Sequence, residues 1–146
     1  MPSRRSIGGV LLGVVSCLAL VMLWNYLGAV EPIERSQIGV PELIELGEVD
    51  AAMEIEFVVP IENHSGREVL IRGAELCCQS QVRHCPESVA AGETESLVGV
   101  LNTYWEEGEI EREGSLFVDG GQMLVIDFRV TARVRPKEDT TQTTDP

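Results

Sequence analysis

Three cysteines and a histidine fall within nine residues of this chain, as Cys77, Cys78, His84 and Cys85 in the stretch LCCQSQVRHCP. Thiolates and imidazoles are the ligands of tetrahedral zinc, and three of the first with one of the second complete a known ligand set. The spacing argues against it, because structural zinc sites separate paired cysteines by two to four residues and these two are adjacent. Oxidation is the second chemistry open to the cluster. In an oxidising compartment three cysteines leave one disulfide and one spare thiol. Adjacent cysteines bond to each other only with strain, so the expected bridge joins Cys85 to Cys77 or Cys78. That short loop would pin the segment between them rather than hold the whole fold. Three free, buried thiols are the remaining alternative.

Other reactive side chains carry weaker signals. His64 stands in the turn cluster Asn63-His64-Ser65-Gly66 and reads as a solvated loop residue. Asn63-His64-Ser65 matches the N-glycosylation acceptor pattern, which a hairpin turn explains equally well. Glu106, Glu107, Glu109, Glu111 and Glu113 offer carboxylates of the kind calcium takes, but no EF-hand loop surrounds them, and a solvated acidic loop is expected. The chain has no GxSxG, HExxH, P-loop or GxGxxG pattern. No catalytic residue, cofactor or small-molecule substrate is expected, and the protein reads as a non-enzyme.

Where the cysteines stand depends on an uncharged run that begins at Ile7 and ends at Val30. Its 24 residues at ~1.5 Å rise reach about 36 Å, enough to cross a ~30 Å hydrocarbon core with tilt. A cleaved signal peptide has a shorter apolar core, and the best cleavage point, Leu27-Gly28-Ala29, carries a bulky Leu. Val14-Val15-Ser16-Cys17 has the order of a lipoprotein signal, yet the residues after Cys17 stay apolar. Trp24 and Tyr26 lie near the outer end, at headgroup level. The reading is an uncleaved signal-anchor with a cytoplasmic stub at 1–6. Arg4 and Arg5 on the short side put the N-terminus in the cytoplasm, and the C-terminal domain in the periplasm or outside the cell.

The exported part holds 9 Lys and Arg against 24 Asp and Glu, a net charge of −15. Such a surface repels nucleic acid and anionic headgroups, so nucleic acid is not an expected partner, and the membrane is reached through the helix alone.

After a polar tether at 31–40 the pattern becomes that of strands. Met53, Ile55, Phe57, Val59 and Ile61 alternate with Glu54, Glu56, Val58, Pro60 and Glu62, which places the first set on a buried face, and Pro60 marks that strand as an edge or a bulge. Residues 68–75 return, 86–91 form a short extended piece, and 97–101 a further strand. Residues 104–114 have no apolar period and read as an exposed loop or solvated hairpin. After the turn Asp119-Gly120-Gly121, Leu124, Ile126, Phe128, Val130, Ala132 and Val134 face inward on the longest strand. The tail at 136–146 lacks apolar residues beyond its prolines and should be disordered. Five to eight short strands without helical periodicity indicate an all-β, antiparallel Ig-like sandwich over 41–135, preceded by one transmembrane helix.

The order of motifs resembles the DUF1573-type bacterial Ig-like domains, related to the ASPM/SPD-2/hydin modules. The matching residues are Leu46-Gly47-Glu48-Val49, Asn63-His64-Ser65-Gly66, Val69-Leu70-Ile71, Cys77, Pro86 and Ala91-Gly92-Glu93-Thr94, then the strands around 97–101 and 125–134. Gln79 stands where that family's CxC pair has its second cysteine, so the pattern looks rewired toward Cys85. The resemblance implies an Ig-like sandwich in the cell envelope and no catalytic residues. The expected function is protein binding or scaffolding among envelope proteins; the alternative is redox or metal handling through Cys77, Cys78 and Cys85.

Overall fold

Ile126, Phe128, Val130, Ala132 and Val134 occupy every second position near the C-terminus, and all five are buried. A pleated backbone sends alternate side chains to opposite faces, so Asp127, Arg129 and Arg133 between them lie in water. The computed structural model of this protein describes residues 31–136. The expected stub at 1–6, the helix from Ile7 to Val30, and all but the first residue of the tail lie outside the described residues. Among the described residues no helix is long and apolar enough to cross a membrane.

In chain order the strands are β1 (Ile38–Gly39), β2 (Leu43–Asp50), β3 (Glu54–Asn63), β4 (Val69–Leu76) and β5 (Ser80–His84). They continue as β6 (Ser88–Val89), β7 (Thr94–Asn102), β8 (Gly108–Asp119) and β9 (Met123–Arg135). They form a four-stranded sheet, β1-β3-β7-β5, and a five-stranded sheet, β2-β9-β8-β4-β6. Phe57, Val59, Ile61, Leu97 and Leu101 from the first share one core with Val69, Leu116, Val118, Ile126 and Phe128 from the second. Burying each such side chain stabilises by about 1.5–3 kcal/mol. Pro60 lies where β1 does not reach, since β1 covers only Asn63 and Glu62 of β3, so its missing N–H leaves no gap in a ladder.

Three expectations are corrected. The segment 31–40 is no free tether: the compact unit begins at Ile33, and Ile33 and Ile38 are both buried in the core. The Ile33 N–H donates to the Gly120 carbonyl at 2.8 Å, which ties the start of the sandwich to the β8–β9 turn.

The sandwich is also not wholly antiparallel. β1 pairs antiparallel with β3 in one sheet, the chain crosses at Pro41, and β2 then pairs parallel with β9 in the other. A bulge between Glu45 and Glu48, with Gly47 at φ +71°, breaks the alternation of β2 and hides it from a period-two reading.

Residues 108–114 are not a loop but the first half of β8. Glu109 and Glu113 stand opposite Arg133 and Arg129 of β9, and Glu111 forms an ion pair with Arg129 at 3.5 Å. Opposite charges across a solvated face replace the missing apolar period.

One contact recurs in both sheets. Phe57 lies across from Gly99, and Phe128 across from Gly114, each ring occupying the space that a Cβ on the glycine would need.

The β8–β9 turn is held by its first residue. The Asp119 carboxylate accepts from Arg72 Nη2 at 2.6 Å and from the Gly121 N–H at 3.2 Å. The Arg72 hydrogen bond, then the Gly121 N–H, hold the Asp119 carboxyl below the usual carboxylate range. A lowered carboxyl pKa contributes stability above the unfolded value of about 3.9, lost as the pH falls through the folded value. Arg72→Ala is expected to move the Asp119 titration upward in carboxyl NMR. An unmoved midpoint would contradict this account.

Candidate functional site

The cysteine cluster is opened out rather than gathered. β4 ends at Leu76, and the chain passes to the other sheet through Cys77, Cys78 and Gln79 before β5 starts at Ser80. The Cys77 N–H donates to the Glu113 carbonyl at 3.0 Å, and the Glu113 N–H donates to Cys77 Sγ at 3.3 Å. Cys78 and Gln79 have φ +52° and +58°, two successive positive values on residues with side chains, as the central pair of a type I′ turn requires. Asn and Gly usually fill such positions, because a Cβ crowds the backbone there. Gln79→Gly is therefore expected to stabilise the fold by about 0.5–1 kcal/mol, read as a higher urea midpoint at unchanged slope.

His84 is exposed, and Cys85 is half-buried against the core. Burial pushes the Cys85 thiol up. The expected bridge from Cys85 to Cys77 or Cys78 is not present: all three are free thiols. The reason is the strand between them. Ser80 to His84 is extended, so its ends are ~13 Å apart, and a disulfide needs Cα atoms within about 7 Å. The same separation splits the candidate zinc ligands Cys77, Cys78, His84 and Cys85. Among the described residues no three His, Cys, Asp or Glu side chains are grouped to hold a metal ion. The glutamates weighed for calcium are dispersed as well: Glu109, Glu111 and Glu113 line the outer face of β8, and Glu106 pairs with Arg112.

The acceptor pattern at Asn63 is closed in the fold. Asn63 is only 1% exposed, and its Nδ2 donates to the carbonyls of Arg67 at 2.8 Å, Val89 at 2.9 Å and Ala90 at 3.1 Å. Its Oδ1 accepts from the Ser65 N–H at 3.0 Å and hydroxyl at 2.6 Å. The side chain is a junction between loops, with no atom left for a sugar. His64 beside it is exposed, 3.1 Å from the Glu62 carboxylate.

The end of the sandwich remote from Ile33 presents a different surface. Trp105 is 87% exposed, Tyr104 51% and Met53 48%. They surround Thr103, which is fully buried; its Oγ1 accepts from the Met53 N–H at 3.1 Å and donates to the Asp50 carbonyl at 2.9 Å. The Thr103 N–H donates to the Met53 carbonyl at 2.9 Å. These bonds clamp the β2–β3 turn to the start of the β7–β8 loop, and the Glu106–Arg112 pair closes the loop from the other side. The three large side chains are thus held on a fixed backbone. Sequence reasoning passed over Tyr104 and Trp105 inside a segment read as solvated, although adjacent Tyr and Trp among glutamates were a signal, and it placed Met53 on the buried face of its strand, where the structure leaves it exposed just ahead of β3.

The concavities are open troughs with charged walls. One of about 570 Å³ runs between Glu45, Glu48, Glu109, Glu111 and Arg133.

No protein-family model and no curated protein sequence matches this chain. Solved structures do. The PapD-like domain 7 of human CEP192 superposes with a TM-score of 0.57 at 9% identity, over 75% of this chain and 94% of that domain. The fold is a PapD-like, Ig-like β-sandwich. VesB protease of Vibrio cholerae matches at TM-score 0.56 and 13% identity over 66% of this chain, which spans only 32% of VesB. The periplasmic chaperone SfaE matches at TM-score 0.51 and 8% identity, over 66% of this chain and 56% of that one. In this PapD-like sandwich the aromatic end lies away from Ile33, because β9 starts beside the Gly120 turn and ends at Arg135, which accepts from the Ala51 N–H. Thirteen residues of strand separate the two ends by ~40 Å.

Proposed function

We propose that this chain is a DUF1573-type Ig-like domain held at the membrane by the helix from Ile7 to Val30. Its N-terminus is cytoplasmic, its sandwich faces the envelope, and it binds proteins there without catalysis of its own. The observation that carries the binding reading is the exposed set Trp105, Tyr104 and Met53 on a clamped backbone. Trp, Tyr and Met are enriched at the cores of protein interfaces, where rigid aromatic anchors supply most of the binding energy. Within the sandwich the aromatic end lies ~40 Å from Ile33, the residue at which the compact unit begins. SfaE, a periplasmic chaperone, shares the sandwich and supports the envelope setting.

The test is site-specific photo-crosslinking of the full chain in the membranes of its own cells. A photoreactive phenylalanine analogue replaces Trp105 in one sample and Gln122, at the opposite end, in another. A discrete protein adduct from position 105 and none from 122 is expected. Equal labelling from both positions, or none from 105, would overturn the reading.

A further inference from the structure

Among the described residues, Cys77 and Cys78 are a pair of adjacent thiols that the binding reading leaves unused. Adjacent Cα atoms lie ~3.8 Å apart, closer than the ~4.4–6.8 Å of ordinary disulfides, so a bond between neighbours needs a particular backbone. The turn here departs from the ordinary strand, in which neighbouring side chains point to opposite faces. At Cys78 the φ of +52° swings the Cβ away from the face it would take in a strand, toward the side of Cys77. The neighbouring Cys77 thiol, ahead of desolvation, raises the Cys78 pKa. Glu113 fixes the Cys77 sulfur through its N–H, while Cys78 is open to solvent. Cys85, the other described thiol, is held away at the far end of β5.

We propose that Cys77 and Cys78 are a vicinal dithiol that closes to an eight-membered-ring disulfide by exchange with low-molecular-weight disulfides, leaving Cys85 free. The exposed Cys78 thiolate attacks one sulfur of the small disulfide RSSR, forming Cys78–SR and releasing RS⁻. The Cys77 thiolate then attacks Cys78 Sγ, forming the Cys77–Cys78 bond and expelling the second RS⁻. Two protein thiols lose two protons and two electrons, and one RSSR becomes two RSH. Strain in the small ring favours reopening, so the disulfide belongs to the labile, exchangeable class rather than the structural one.

Peptide mapping separates the outcomes. The reduced full chain is incubated with oxidised glutathione, remaining thiols are alkylated, and the protein is digested with trypsin. Cleavage after Arg72, Arg83 and Arg112 puts Cys77 and Cys78 together in peptide 73–83 and Cys85 alone in peptide 84–112. The expected result is peptide 73–83 without alkyl groups and about 2 Da lighter than its dithiol, with Cys85 alkylated. Cys77→Ser is expected to stop at a glutathione adduct on Cys78. A covalent link between the two peptides, a doubly alkylated 73–83, or a persistent glutathione adduct on the unsubstituted chain would overturn the proposal. None of these readouts depends on the partner sought at Trp105.

Discussion

Replacing Gly114 by alanine is expected to lower the melting temperature by roughly 10–20 °C. A Cβ at Gly114 would sit 2.4 Å from Phe128 Cζ and 2.8 Å from Leu76 Cδ2. Carbon atoms approach to about 3.5–4.0 Å at best, and Phe128 is 1% exposed, with core on every other side. The ring therefore cannot swing out, and the strand pair or the core must shift, at about 2–3 kcal/mol for such overpacking. The small gain from a better strand residue at position 114 does not offset that. Thermal unfolding by circular dichroism gives the shift. The mechanism is checked by a second substitution, since Phe128→Leu alone destabilises but makes room for the new methyl. Combined with Gly114→Ala it should cost less than the sum of the two. Strict additivity would mean that the ring is not the obstacle. Gly99 has the same relation to Phe57, with a Cβ contact of 2.3 Å, and its alanine variant should behave alike.

Asn63→Asp is expected to destabilise by about 3 kcal/mol at neutral pH and by much less in acid. The amide nitrogen of Asn63 faces three carbonyl oxygens, from Arg67, Val89 and Ala90. An aspartate there brings a charged acceptor against three acceptors in a buried site, which disfavours its ionised form. The folded pKa of the introduced carboxyl then lies above its unfolded value of about 3.9. For a raised carboxyl pKa the sign is the reverse of that at Asp119. Protonated, the side chain keeps one O–H donor for the carbonyls, so the deficit is smallest below the unfolded pKa. It grows as the pH rises through the folded one. Urea unfolding of the variant and the parent from pH 3.5 to 8 measures the gap. A pH-independent gap would contradict the burial and polarity assigned to this site.

Much of the sandwich was legible in the residues themselves. The alternations of β3 and β9 placed Phe57, Val59, Ile61 and the set from Ile126 to Val134 on buried faces, and the structure buries them. The first half of β8 was illegible because its evidence lies on another strand. Only the arginines of β9 opposite Glu109 and Glu113 make that acidic stretch a ladder. Ile33 and Ile38 were lost in polar surroundings, since isolated apolar residues have no period to reveal them. The cysteines were misjudged for a related reason. Short separation in sequence suggested a Cys85 bridge, whereas an extended β5 turns that separation into distance.

By itself, then, the sequence determined that Phe57 to Ile61 and Ile126 to Val134 turn alternate side chains inward, that the described body is built of strands, and that its surface is acidic. Those properties follow from local periodicity and composition, which need no partner to be expressed. Only the tertiary structure decided that Asn63 is a closed junction, that Trp105, Tyr104 and Met53 share one clamped end, and that β5 holds Cys85 away from Cys77 and Cys78. Each of these depends on groups far apart in the chain, or on a backbone turn whose φ values the residue types disfavour. Pairing across strands and strain held by packing are properties of the folded whole.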